Sequence, residues 1–336
     1  MQSIATYDLM VLAIGAIAFG FYLLVKGGDW AIDAAVYMAE KAGMSKLFVG
    51  ATILAFGTSI PELFASVNAN LSGFPGISLG NVLGSNIANI LLVLGATAII
   101  FPVVCKIKDV KADMIMMVVA SAALYGAMQM DVIPRAVGIG MFAVLIGFVF
   151  YQYRQTMAAV AAGKADPDVI EAEDAGHDED AFKNNGTAFL FLIGGFVALA
   201  IGSELLVKGA VTIGTLMGVP EAIIGTTVVA FGTSLPELAT CILAAMKRHT
   251  EVIIGNIIGS NVFNILSIVG ITAMIKPIAV DQNLTGLTLI ATVAIAALTA
   301  LWVAMGRSFG RISGIVMCAV YVAYIFIQYI NSSLSF

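Results

Sequence analysis

The chain has 336 residues, of which 60% are apolar and only 11% are charged. A soluble domain carries about a quarter charged residues, so this composition excludes a soluble fold and indicates a protein whose surface faces lipid. The formal net charge is -5, but eight of the 21 acids lie between Asp166 and Asp180. This uneven distribution gives no support for nucleic-acid binding.

Ten apolar segments are long enough to cross a membrane as helices, which takes about 20 residues each. The first has no basic region before it and no clear cleavage site after it, so we predict a retained helix and no signal peptide. Five spans are predicted in the first half, at Leu9–Val25, Lys46–Asn70, Gly80–Phe101, Met114–Met130 and Ala136–Tyr153. Five more are predicted in the second half, at Ala188–Val207, Glu221–Met246, Val252–Ile275, Leu284–Met305 and Ile312–Ile330.

A polar segment, residues 155–187, separates the two groups of spans and is rich in Ala, Asp, Glu and Gly. We predict a solvated linker. A weak calcium-sensing tail is the alternative, although the acids lack the Gly turn and the ligand spacing of an EF-hand loop. Cys105, Cys241 and Cys318 show no paired spacing, and we predict no disulfide.

The placement of lysine and arginine predicts the orientation, because cytoplasmic connections carry an excess of both. With both termini outside, the connections on the cytoplasmic side hold thirteen of these residues, and the opposite side holds only Arg135, Lys208 and Lys276. We therefore predict a multi-pass protein of the cell (inner) membrane with both termini outside and the linker in the cytoplasm.

An internal repeat organises the chain. Residues 51–102 and 226–277 align without a gap at an offset of 175, with 23 identities in 52 positions. Each half, 1–154 and 188–336, has five predicted spans, an odd number, so the second copy must enter the membrane from the opposite side. The predicted fold is an all-α integral membrane protein of ten transmembrane helices in two inverted five-helix repeats, an architecture typical of secondary transporters. A duplication kept only for packing is the alternative.

The motif GTSIPE at 57–62, repeated as GTSLPE at 232–237, predicts a broken helix in the second and seventh spans. Proline removes a backbone donor and clashes with the carbonyl four residues earlier. Irregular backbone at membrane depth is tolerated only where it lines a protein cavity. Freed carbonyls, the hydroxyls of Thr58 and Ser59 and one carboxylate form a hard oxygen set that suits sodium or calcium.

The acids of this motif, Glu62 and Glu237, indicate the charge of the ligand. An acid at a helix centre costs roughly 2.5–3.5 kcal/mol on insertion scales, and two together repel. A divalent cation or several monovalent ones would offset both charges, and protonation would do the same. A glutamate that only hydrogen-bonds a neighbouring helix is the structural alternative.

The second motif, GNVLGSNIAN at 80–89, supplies neutral oxygens. Ser85 and Asn89 lie four residues apart and therefore on one side of a helix, and Ser260 and Asn264 repeat this pair. These side chains can complete a cation shell without adding charge. Four other asparagines point elsewhere, and we expect them to hydrogen-bond between helices: Asn81, Asn86, Asn256 and Asn261.

These paired motifs resemble the α-repeats of the cation/calcium antiporter superfamily, in particular the prokaryotic members of its sodium/calcium exchanger branch. The G-N-x-x-E motif of proton/calcium exchangers is absent. The resemblance implies a core of the second, third, seventh and eighth helices, across which the long first and sixth helices slide. It also implies that the central acids of the ion site are Glu62 and Glu237, and that hydroxyl and carbonyl ligands come from Thr58, Ser59, Thr233 and Ser234. Sodium would bind backbone oxygens of Ala55 and Ala230 and the side chains of Ser85 and Ser260. The remaining pair of site residues is Asn89 and Asn264.

The resulting hypothesis is a sodium/calcium antiporter that works by alternating access. Its partners are sodium and calcium ions and the lipid bilayer, with no cofactor and with a monomer sufficient for function. Asn264 stands where potassium-dependent relatives carry Asp, which makes potassium co-transport less favoured. The alternatives are a proton/calcium antiporter of the same fold, a cation channel and an intramembrane protease. For the last of these, His177 and His249 lie in connections, where neither can activate a serine.

Overall fold

The computed structural model describes residues 2–161, 182, 184–217 and 232–334. In the first half the helices are α1 (Gln2–Ala42), α2 (Lys46–Val49), α3 (Ala55–Thr58), α4 (Ile60–Leu71), α5 (Pro75–Ala88), α6 (Gly95–Ile100), α7 (Ile107–Ala127) and α8 (Arg135–Ala161). In the second half they are α9 (Asn185–Leu216), α10 (Leu235–Met246), α11 (Thr250–Phe263), α12 (Gly270–Ile275), α13 (Leu287–Ala304) and α14 (Arg311–Leu334). Three π-helical segments within the described residues join consecutive helices of a span: Gly50–Leu54, Asn89–Leu94 and Asn264–Val269. Two strands of two residues, β1 (Val132–Ile133) and β2 (Ile278–Ala279), pair antiparallel.

The helical, membrane-spanning class predicted from the composition is confirmed. Eight helices within the described ranges are long and apolar enough to cross a membrane, and a bent pair brings the number to nine. The predicted seventh span, Glu221–Met246, begins in residues outside the described ranges, and from residue 232 onward it contributes the short helix α10.

The predicted break in the second span is confirmed. Lys46–Thr58 and Ile60–Leu71 meet at an angle of 42°, and the junction residue Ser59 has a non-helical ψ of 3°. Pro61 lies in the first turn of α4, where its missing N–H costs no helical hydrogen bond. The sequence TSIPE therefore ends one helix and starts the next within a single span.

The first and sixth helices are longer than their apolar segments, and the predicted ends at Val25 and Val207 are wrong. α1 continues to Ala42 and α9 to Leu216. Hydropathy reports transfer into lipid and not helix formation, and the extension of α1 carries both a buried apolar face, with Ala31 and Ile32 at 0% exposure, and paired acids. Lys247 Nζ lies 3.0 Å from an Asp29 oxygen and 2.7 Å from an Asp33 oxygen.

The helices on both sides of the predicted linker extend into it. α8 continues to Ala161, seven residues past Arg154, and α9 begins at Asn185, within the predicted linker. Asn184 caps α9 by accepting from the Thr187 N–H at 2.8 Å, which is a strong local start signal. Most of the predicted linker, from residue 162 to 181, lies outside the described residues.

The two long helices α1 and α9 pack closely through glycines. A Cβ added at Gly20 would lie 2.6 Å from the Gly202 carbonyl oxygen, and one added at Gly27 would lie 2.8 Å from the Gly195 carbonyl oxygen. Because only hydrogen is small enough at these positions, the two backbones come into direct contact. The long helices therefore form a paired unit beside the rest of the bundle.

Helices of the two halves pack against each other at both ends of the bundle. α8 of the first half packs on α12 of the second, where Gly138 and Gly270 face each other's backbones. α6 packs in the same way on α14, through Gly95 and Gly314. The β1–β2 ladder joins the halves at one end, and a bridge between Val103 and Phe309 joins them at the other.

The third and eighth spans form the interior. In the most apolar 18-residue stretch of Thr250–Ile275 every residue is buried. The buried share is 72% in the same stretch of Pro75–Ile100 and only 11% in Arg311–Gln328. A span with so little exposed surface is surrounded by protein and not by lipid. The two G-N-x-x-G-S-N motifs therefore lie at the centre of the bundle.

Candidate functional site

The two acids of the repeated motifs hold equivalent positions at the starts of two helices. Glu62 is the third residue of α4 and Glu237 is the third residue of α10, each directly after a proline. Their side chains are 0% and 1% exposed. The N-terminus of a helix carries partial positive charge, so each break provides a place where a buried carboxylate is less costly.

The structure brings these two acids together. The Ser59 hydroxyl donates to Glu237 Oε1 at 3.2 Å, across 178 positions of sequence. Glu62 and Glu237 are also close enough to interact electrostatically. The break in the second span therefore faces the acid of the seventh.

Many buried polar atoms around the acids have no hydrogen-bond partner among the described residues. Buried polar atoms are nearly always paired, because an unpaired one costs about 1–3 kcal/mol. Here the unpaired groups include both oxygens of Glu62, Oε2 of Glu237, the amides of Asn89 and Asn264, and the hydroxyls of Ser234 and Ser260. Six of the twelve predicted site residues therefore carry unpaired donors or acceptors.

Both asparagines of this set begin π-helical segments at equivalent positions. Asn89 starts Asn89–Leu94 and Asn264 starts Asn264–Val269. π-Helical segments are rare and often occur at functional sites. α4, which carries Glu62, packs on the segment that starts at Asn264, and α10 packs on the segment that starts at Asn89. The helix that carries each acid therefore lies against the π segment of the other half.

The remaining predicted ligands are buried but partly used by the fold. The Ala55 carbonyl accepts from the Ser59 N–H at 3.2 Å and from the Thr58 hydroxyl at 3.4 Å. Ser85 is 3% exposed, and Thr233 is partly buried. Ala230, the predicted partner of Ala55 in the second half, lies outside the described residues.

Asn81 and Asn256 connect the broken spans, as expected for helix–helix hydrogen bonds. The Thr58 hydroxyl lies 3.4 Å from Asn256 Oδ1, and the Thr233 hydroxyl lies 3.4 Å from Asn81 Oδ1. Asn81 Nδ2 also donates to the Glu62 carbonyl at 3.2 Å. The two asparagines are 175 positions apart, so the repeat itself was the signal that they act as a pair around the site.

The same expectation was wrong for Asn86 and Asn261. Each donates its amide, at 2.8 Å, to the carbonyl four residues earlier in its own helix, namely Val82 and Ile257. Short polar side chains compete for backbone groups within reach. The position of an asparagine in the motif does not show whether its side chain bonds its own helix or a neighbouring one.

Ion pairs in the described part of the chain join Lys46 to Glu40, Lys208 to Glu204, and Lys247 to Asp29 and Asp33, and none of these pairs includes Glu62 or Glu237. No group of three or more His, Cys, Asp or Glu side chains converges there either. The candidate site therefore presents two carboxylates and several neutral oxygens, a donor set that suits hard cations.

A bundle of membrane spans whose interior presents unpaired oxygens to a cation is the arrangement of a membrane transporter. Residues 12–154 and 187–330 match the model of the sodium/calcium exchanger protein family, and the chain belongs to that family.

Relatives of similar length support this assignment. The putative antiporter CaxA of Alkalimonas amylolytica is 33% identical over 319 residues, which cover 94% of this chain and 98% of that protein. The sodium/calcium exchanger MaX1 of Methanosarcina acetivorans is 30% identical over 359 residues, with 96% and 99% covered.

A solved structure shares the fold. The sodium-calcium exchanger NCX_Mj, soaked with 10 mM Na⁺ and 10 mM Sr²⁺, matches with a TM-score of 0.79 and 28% identity over 94% of this chain and 98% of that chain. The family and this structural neighbour are exchangers and not enzymes. The chain is therefore a multi-pass membrane protein of the cation/calcium antiport class.

Proposed function

We propose that this protein exchanges sodium for calcium, and that both ions compete for one site built around Glu62 and Glu237. The twelve predicted ligands constitute this site, including Ala230, whose surroundings are not described. Two relatives that carry the name sodium/calcium exchanger, MaX1 and NCX_Mj, support the choice of ions. The absence of the G-N-x-x-E motif favours sodium over protons as the coupling ion.

The observation that carries this proposal is the set of unpaired oxygens around the two acids. Both Glu62 oxygens are buried and have no hydrogen-bond partner among the described residues. An ionised carboxylate in such a place is stable only when a cation or a proton compensates it. A calcium ion or two or more sodium ions would supply that compensation.

The same charge balance couples the flux of sodium to the flux of calcium. An empty site carries two uncompensated charges in a dehydrated interior, so its movement across the membrane is costly. A site loaded with either ion is close to neutral, and the barrier to the conformational change falls. Because each ion must leave before the other binds, the flux of one ion requires counterflow of the other.

The proposed architecture consists of ten spans in two inverted repeats, 1–154 and 188–336. The protein lies in the cell (inner) membrane, with both termini on the outer side and the linker in the cytoplasm. Equivalent elements at an offset of 175, such as Pro75–Ala88 and Thr250–Phe263, support the duplication. A monomer contains the whole proposed site, and no cofactor is required.

Calcium flux in proteoliposomes tests the proposal, with sodium, potassium and proton gradients imposed one at a time. We expect calcium uptake that follows an outward sodium gradient and stops when potassium replaces sodium. Uptake that follows a pH gradient and ignores sodium would favour the proton/calcium alternative. Uptake without any ion on the opposite side would indicate a channel.

A further inference from the structure

A cavity of about 460 Å³ lies away from the candidate cation site, at one end of the bundle. It is formed by the start of α2, the first turns of α7 and the last turns of α8, whose lining side chains include Phe48, Lys108 and Tyr151. This is the end of the spans that we predict to be cytoplasmic. Its volume is in the range of sites that bind small ligands.

The lining of the cavity carries charges of both signs. Lys108 and Lys111 are exposed at its mouth, and Asp109 and Asp113 also line it. Asp113 is only 6% exposed, and its recorded hydrogen-bond donor is the neutral amide of Gln152. Two lysines and one deeply placed aspartate therefore offer separate places for an anionic group and a cationic group.

The lining changes from charged to apolar along α7. Lys108, Lys111 and Ile115 follow a spacing of three and four residues and so share one face of the helix. Ile115 is 53% exposed, and across the cavity Tyr151 on α8 is 51% exposed. Tyrosine is typical of the level of lipid headgroups, and exposed isoleucine is typical of the level of the acyl chains.

We propose that this cavity binds the headgroup of a zwitterionic phospholipid with a primary ammonium, that is, a phosphoethanolamine headgroup. Lys108 and Lys111 bind the phosphate, and Asp113, with Asp109 beside it, accepts the hydrogen bonds of the ammonium. The apolar face of α7 beyond Ile115 contacts an acyl chain. The balanced charge of the lining favours this zwitterion over an anionic lipid, which two lysines alone would select.

Thermal unfolding of the purified full chain in detergent tests the proposal, with phosphatidylethanolamine, phosphatidylcholine or phosphatidylglycerol added at equal molar ratio. Phosphatidylcholine differs from the first lipid by three N-methyl groups, which remove every N–H donor. We expect phosphatidylethanolamine to raise Tm by about 5 °C more than either of the others, as ligand binding to the folded state does. Native mass spectrometry is expected to show one retained phosphatidylethanolamine.

The variants Asp113→Asn and Lys108→Gln/Lys111→Gln are expected to remove the difference between the lipids, whereas Lys208→Gln, an exposed lysine outside the cavity, keeps it. If Asp113→Asn fails to fold, the lysine pair carries the test. Equal shifts with all three lipids, or an undiminished preference in the lysine variant, would overturn the proposal. If phosphatidylglycerol raises Tm as much as phosphatidylethanolamine does, the cavity is a simple anion site. If free phosphoethanolamine gives the full Tm shift in the presence of phosphatidylcholine, the ligand is a soluble molecule. Either result would overturn the proposal.

Discussion

Ser59 donates a hydrogen bond to Glu237 at 3.2 Å and so joins the helix break of one half to the acid of the other. The equivalent hydroxyl of the second half, Ser234, has no partner among the described side chains, and neither has Glu62. The two repeats therefore present unequal environments to their acids in this conformation. Unequal use of two similar halves is what alternating access requires of a duplicated transporter.

We expect Ser59→Ala to weaken calcium binding without abolishing it. A hydrogen bond to a charged group contributes about 1.5–3 kcal/mol, and each 1.4 kcal/mol corresponds to a factor of about ten in affinity. The apparent calcium affinity in flux assays should therefore fall about tenfold or more. Ser121→Ala is the matched control, because this buried serine bonds only its own helix, at the Met117 carbonyl. Equal affinities in the two variants would contradict the role of Ser59.

Asn81→Ala is expected to lower the thermal stability of the protein. The change removes donors to the Glu62 carbonyl and to the Ser66 hydroxyl, at 3.2 and 2.9 Å. Each buried group left without its partner costs about 1–3 kcal/mol.

The control for that change is Asn86→Ala, which removes a bond within a single helix. We expect Asn81→Ala to lower Tm by several degrees more than Asn86→Ala, measured by thermal unfolding in detergent. A larger effect of Asn86→Ala would show that Asn81 does not connect the broken span to its neighbour.

Neighbouring glycines on α9 test the contact between the two long helices. A Cβ at Gly195 would lie 2.7 Å from the Gly27 carbonyl oxygen, whereas one at Gly194 would meet nothing within 4 Å. Leucine at either position gains a similar helix propensity over glycine, somewhat less than the roughly 0.8–1.0 kcal/mol that alanine gains. Any difference between the variants therefore reports packing.

We expect Gly195→Leu to lower both Tm and exchange rate, and Gly194→Leu to leave both near those of the unmodified protein. The comparison uses thermal unfolding and calcium flux on the same preparations. Near-normal exchange in Gly195→Leu would mean that close contact of α1 with α9 is unnecessary for transport.

The repeat made much of the site predictable. Nearly identical motifs at an offset of 175 predicted that Glu62 and Glu237 are equivalent, and the proline of the first motif predicted the break near Ser59. The π segments that begin at Asn89 and Asn264 were not predictable, because NIL and NILS have no composition that distinguishes a π turn from an α turn. Both segments pack against helices of the opposite half, which the local sequence does not show.

Helix ends were the least predictable part of the fold. The most apolar part of α1 ends near Val25, yet the helix continues to Ala42, where Ala31 and Ile32 are buried and where Asp29 and Asp33 pair with Lys247. Lys247 lies more than 200 positions from these aspartates, so the local sequence of α1 does not predict the ion pair. The contacts of α8 with α12 and of α6 with α14 are likewise set by glycines in distant segments.

We propose that one calcium ion is bound jointly by Glu62 and Glu237, and equilibrium binding of radioactive calcium to the purified protein tests this most directly. The account predicts one site in the unmodified chain and a loss of at least about 100-fold in affinity in both Glu62→Gln and Glu237→Gln, since removing one of two buried charged ligands costs about 3–5 kcal/mol. Retention of one site of unchanged affinity in either variant would contradict a shared site.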